Sequence, residues 1–164
     1  MRRAAVLGLV LATAWAVTAS AAGDSGEGPP PEVVFQEFGL FGTWAIDCAV
    51  KASPANPHIT ISQPAPGIIL EDHDLGPHNV VNRYSILAAR KLSGTRLSLQ
   101  VIFAPGRKNE ERQKLVWRVK DGTLRTLFNQ PKDGPVRVRD GVAVGYGIAT
   151  PLLRKCKWGA RRSR

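Results

Sequence analysis

Hydrophobic and polar residues alternate with a period of two along most of the chain between residues 42 and 139. Residues 42–48 set Trp44, Ile46 and Cys48 on one face, and residues 95–104 set Leu97, Leu99, Val101 and Phe103 opposite Arg96, Ser98 and Gln100. Residues 114–120 turn Leu115, Trp117 and Val119 one way and Lys114, Arg118 and Lys120 the other. Residues 123–129 place Leu124, Thr126 and Phe128 together, and Val136 and Val138 alternate with Arg137 and Arg139. This is the pattern of half-buried antiparallel strands. Asp121-Gly122 between two such runs is a strong hairpin signal, and Ser93-Gly94, Asp133-Gly134 and Asp140-Gly141 mark further corners. The reading is an all-β protein, an antiparallel up-and-down barrel or sandwich of about eight strands. Trp44, Leu97, Leu99, Phe103, Leu115, Trp117 and Phe128 are expected to point inward. Residues 79–92 fit helical spacing through Val80, Val81, Tyr84, Leu87, Ala88 and Leu92, or a strand with Tyr84, Ile86 and Ala88 on one face; the turn that follows favours strand. The polar stretch 106–113 reads as a long hairpin loop that can hold one helical turn.

The ends of the chain differ from this middle. Arg2 and Arg3 precede an uncharged run of 14 residues, 4–17, and small residues follow at 19–22. A spanning helix needs roughly 20 apolar residues, so residues 1–22 are expected to be a cleaved signal peptide that sends the protein to a periplasm or out of the cell, with no transmembrane segment left behind. Residues 23–36 begin with glycine and serine and include Pro29, Pro30 and Pro31, which reads as a linker. One barrel-like domain then spans 37–156, and a basic tail occupies 157–164. Cys48 closes the first run and Cys156 the last. In an exported chain an even pair is expected to be bonded, and a bond here would hold the first and last strands side by side, as barrel closure requires.

The opening Gly42-Thr43-Trp44 resembles the lipocalins, whose first strand carries G-x-W at the closed end of the barrel. In that family an arginine near the last strand packs over the tryptophan, and Arg154 is the residue here that resembles it. The resemblance implies a barrel that carries a small apolar ligand. The G-x-W-x-x-D-C opening and the closing R-K-C are also similar to small exported bacterial proteins to which no activity attaches. Candidate ligand-binding residues are Trp44, Tyr84, Leu99, Phe103, Trp117 and Phe128.

At 164 residues the chain suits a single core, and two cysteines and three histidines cannot build a zinc-finger array or an iron–sulfur protein. Phosphate-loop, dinucleotide, zincin and nucleophile-elbow motifs do not occur. An enzyme is therefore not expected, nor a cofactor. Charge is divided: residues 23–75 hold eight acids and one base, and residues 76–164 hold 20 bases and five acids. Export and the absence of aromatics interleaved with the bases argue against nucleic acid as partner. An anionic lipid or another acidic envelope polymer fits a basic surface better. The tail is the candidate contact, with Lys155, Lys157, Arg161, Arg162 and Arg164 around Trp158. Two alternatives to ligand carriage stand beside it. One is an inhibitor-like barrel acting on a protein through the loop 106–113. The other is a metal-dependent hydrolase using residues 71–78, where Glu71, His73 and His78 are weak metal candidates; on a strand, Glu71 and His73 face one way while Asp72 and Asp74 face the other.

Overall fold

The computed structural model describes residues 28–157, and within them an eight-stranded antiparallel barrel closes completely. Seven strands follow one another as a meander: β1 (Gly42–Ala45), β2 (His58–Ala65), β3 (Ile68–Asp74), β4 (Asn82–Ser93), β5 (Arg96–Phe103), β6 (Glu111–Lys120) and β7 (Thr123–Pro131). The chain then leaves the wall through three two-residue strands, β8 (Val138–Arg139), β9 (Val142–Ala143) and β10 (Ile148–Ala149), which extend the sheet beyond β7. It returns as β11 (Leu153–Lys155) to fill the gap between β7 and β1. Closure leaves no open edge in the wall.

Asp121 and Gly122, at φ of 50° and 70°, make the tight β6–β7 turn that the Asp-Gly pair signalled. Residues 79–92 resolve mainly into strand β4, and a register shift between Ile86 and Ala88 explains why their spacing looked mixed. Leu87 is the extra residue. Beyond it the inward position passes to Ala89 (opposite Leu99), and not to Ala88 as strict alternation required.

Three more expectations change. Residues 31–36 are not linker: Pro31–Glu37 is a helix, α1. Pro31 occupies its first position, where a missing N–H costs nothing. Gly39 ends it at φ 60°, with its N–H donating to Gln36 and that of Leu40 donating to Phe35. Second, β1 stops at Ala45, so Ile46 and Cys48 do not continue the Trp44 face, and Ile46 is exposed. Third, the loop after β5 is shorter than expected. Strand β6 starts at Glu111, and Gln113 is a buried strand residue.

Helix α1 lies against β4 and feeds Val34 and Phe35 into the barrel core. Phe35 packs 6.1 Å from Trp117 and 5.9 Å from Phe41, ring centre to ring centre. Leu40, fully buried, accepts the Trp44 indole N–H at 2.8 Å. At the helix C-terminus Lys91 pairs with Glu37 and stands over the Phe38 ring. This seals the end of the barrel at which the β2–β3, β4–β5 and β6–β7 hairpins turn. Leu97, Leu99, Val101, Ile61 and Ile69 fill the interior beside it.

Cys48 and Cys156 form the disulfide, with Cα atoms 5.5 Å apart and 108 positions between them in sequence. The bond ties the chain beyond β1 to the end of β11, whose strands pair directly through Trp44 with Lys155 and Ala45 with Arg154. The tryptophan does not receive Arg154, as the family resemblance implied. Lys155 shares its side of the pair, so the Lys155 ammonium stands 5.7 Å from the Trp44 ring centre and donates to the Gly39 carbonyl at 2.6 Å. Arg154, one residue earlier, is exposed on the opposite face.

Candidate functional site: a cavity at the loop end of the barrel

Strand alternation carries three polar residues to the inside at the end opposite α1. In β3, Glu71 and His73 share parity with the core residue Ile69, so the wall that buries Ile69 must take them in too. Glu71 stands opposite Tyr84 and His73 opposite Asn82, and Tyr84 in turn meets Phe103 across β4–β5. In β6, Gln113 shares parity with Leu115 and Trp117 and is 5% exposed.

Between these residues and the core lies an unfilled space of about 290 Å³. Ile59, Leu115, Trp117, Leu124 and Leu153 form its apolar walls; Glu71, His73, Asn82, Tyr84, Thr126 and Asn129 supply the polar atoms; Pro57, Leu75, Thr150 and Pro151 cover it from the loops and Val138 from β8. The volume is close to the lower limit of ordinary small-molecule pockets, about 300 Å³.

Its hydrogen bonding is incomplete in a specific way. Glu71, 3% exposed, holds the His73 Nε2 at 2.6 Å with Oε1, while its Oε2 is buried without a partner. On the other wall, Arg137 donates twice to Glu111 at 2.8 and 2.9 Å, Gln113 donates to Glu111 at 2.6 Å, and Asn129 donates to Gln113 at 2.9 Å. The direction of this chain is forced. A carboxylate held by arginine can only accept, so Gln113 turns its NH₂ to Glu111 and its oxygen to Asn129. Asn129 must then use its own NH₂, and its Oδ1 is left buried and unpartnered. The Tyr84 ring packs 5.0 Å from His73 and 5.1 Å from Phe103. Burial, and after it the Glu71 carboxylate, push the Tyr84 phenol well above its ordinary value.

Of the six expected ligand-binding residues, Tyr84 and Trp117 line this cavity. Trp44 and Leu99 are packed into the sealed half, and Phe103 lies behind Tyr84. Phe128 is not inward at all. Trp117 pairs with Thr126 but Val116 with Phe128, so Leu127 is an unpaired extra residue and every position after it changes face. The same bulge brings Asn129 inside. Alternation could have flagged Glu71, His73 and Gln113 as inward polar residues; Asn129 carries no local signal.

The cluster 71–78 is divided by that alternation. Outside the barrel Asp72 takes a bidentate pair from Arg83 at 2.7 and 2.8 Å, and Asp74 caps the Gly76 N–H at 2.8 Å. His78 sits exposed on the β3–β4 loop. Among the described residues no three His, Cys, Asp or Glu side chains converge as a metal site would need.

On the outer wall, Phe128 joins Val116, Leu127, Arg96, Lys114, Arg118 and Arg139 around an open depression of about 440 Å³ that also touches Asp140. Arg96 and Arg118 are direct cross-strand partners, as are Arg118 and Arg125. An aromatic therefore does stand among the bases here, and that part of the sequence argument against nucleic acid does not hold on this face. Of the tail candidates, Lys157 is exposed, whereas Lys155 is engaged by Gly39 and Trp44 and is not a free surface charge. Trp158, Arg161, Arg162 and Arg164 lie outside the described residues, as does the expected signal peptide 1–22. No described helix is long and apolar enough to cross a membrane.

Comparison of the chain with protein-family models, with curated proteins and with solved structures finds no match.

Proposed function

We propose that the protein is a non-enzymatic binding protein that carries a small apolar or amphipathic ligand in the loop-end cavity. The observation that carries this reading is the space of about 290 Å³ left in an otherwise side-chain-filled barrel, walled by Trp117, Leu115, Leu124 and Leu153. The N-terminal pattern of residues 1–22 and the disulfide fit a periplasmic or secreted location. Paired arginines around the outer depression support a weak association with anionic envelope surfaces, which salt would weaken.

Native mass spectrometry of protein purified from its own envelope, followed by solvent extraction, should release a co-purifying small molecule. In vitro, a small apolar fluorophore such as N-phenyl-1-naphthylamine should bind and quench Trp117. Thr126→Phe, which fills the cavity from β7, should abolish binding while the protein stays folded. Fluorophore binding unaffected by Thr126→Phe overturns the reading.

A further inference from the structure

The cavity is asymmetric in its chemistry. Its walls are apolar, yet the two buried atoms left without hydrogen-bond partners, Glu71 Oε2 and Asn129 Oδ1, are both acceptors and both belong to residues that line it. Buried polar atoms are almost always satisfied, so two orphans of one kind, on residues that line one cavity, call for donors there. A single group that meets both must donate more than one hydrogen bond.

Charge points the same way. Among the described residues, no lysine or arginine lines the cavity, and the Arg137 guanidinium is taken up by Glu111 behind it. Among the described residues the hydrogen-bond partner of the Glu71 carboxylate is the His73 ring, at Oε1, and Oε2 has none. A carboxylate head on the ligand would meet two acceptors and a negative charge. A hydroxyl could satisfy one oxygen. An ammonium brings three donors and a positive charge.

We infer that the ligand is an amine on an apolar body, its protonated nitrogen held between Glu71 Oε2 and Asn129 Oδ1 and its body against Trp117 and Leu115. This rests on the cavity being a ligand site. The Tyr84–His73 edge flanks the head group, and burial keeps the Tyr84 phenol neutral beside it.

The test is calorimetric titration at neutral pH with three compounds sharing one body: 2-phenylethylamine, 2-phenylethanol and 3-phenylpropanoate. The amine should bind at least about tenfold tighter than the alcohol, and the carboxylate weakest, as expected for a charge-assisted contact in a desolvated site. Glu71→Gln, nearly isosteric, should erase the amine's advantage over the alcohol. Asn129→Leu serves as the second variant and should reduce the same advantage from the opposite wall. Alcohol binding as tight as amine binding in the unaltered protein overturns the inference without need of any variant, and so does an amine advantage that survives Glu71→Gln. If the alcohol and N-phenyl-1-naphthylamine bind without preference for the amine, only the head-group assignment falls. If none of the compounds binds, the cavity reading falls with it.

Discussion

The two halves of the barrel interior are built from the same strands and differ in almost everything else. At the hairpin end, Phe35, Leu40, Leu97 and Leu99 are each 0% exposed, and α1 closes the opening with apolar side chains. At the loop end, the same strands present Glu71, His73, Tyr84, Gln113 and Asn129, and loops cover a space that side chains do not fill. The first half behaves as a packed core, where each contact adds stability. The second leaves a buried carboxylate oxygen unsatisfied, which natural folds tolerate where binding is gained in return. Trp117 stands at the boundary: one side packs on Phe35, the other lines the cavity.

This contrast can be broken or sharpened by mutation. Phe35→Ala removes the plug and leaves a void, and should cost about 3–5 kcal/mol. Val138→Ala, at the half-buried cover of the cavity, should cost no more than about 1 kcal/mol. Urea denaturation of the two variants side by side measures this, and equal losses would erase the distinction between the ends. Replacing both cysteines with serine should cost about 2–4 kcal/mol, because the bond closes a long loop in the unfolded chain. Thermal unfolding with and without reductant tests it, and the reductant should no longer matter in the variant.

A smaller effect is expected at the loop end. Glu71→Gln keeps the shape of the side chain and exchanges the unpartnered Oε2 for an amide NH₂ that is no better satisfied by the fold, so stability should change by less than about 1 kcal/mol while amine preference is lost. A larger loss in urea denaturation would mean that both Glu71 oxygens are satisfied by the fold itself.

The smallest effect is spectroscopic. The Tyr84 phenol is raised in the folded state, so folding favours its protonated form. That contribution is complete below the ordinary phenol value near 10 and is lost as pH rises above it. In an alkaline absorbance titration, the Tyr84 share of the phenolate signal, isolated by subtracting Tyr84→Phe, should appear only as the barrel unfolds.

Much of the wall was legible because β5 and β6 keep unbroken alternation with large aliphatic and aromatic residues on one side. Leu97, Leu99, Leu115 and Trp117 are all inward for that reason. Where a strand gains one residue, local pattern misleads: at Leu127 it sent Phe128 to the wrong face, and at Leu87 it sent Ala88 inward in place of Ala89. Helix α1, seven residues long, is too short to show a period, although Pro31 at its start and Gly39 after its end are recognisable stop and start residues. Part of the cavity lining was legible, since Tyr84 and Trp117 were among the candidate residues and Glu71 and His73 were read as sharing a face. That this face is the inner one was not visible, because a carboxylate on a strand reads equally as a solvated turn or an inward group.

By itself the sequence determined the all-β class, the antiparallel hairpins and the cysteine pairing, because each depends on a repeat of two, on Asp-Gly turns or on a count of thiols. Only the tertiary structure decided that the barrel is sealed at one end and hollow at the other. Closure depends on a short helix finding the barrel mouth, and the hydrogen-bond inventory of Asn129 depends on its meeting Gln113 from the neighbouring strand. Both are long-range facts about space, which periodicity along a chain does not encode.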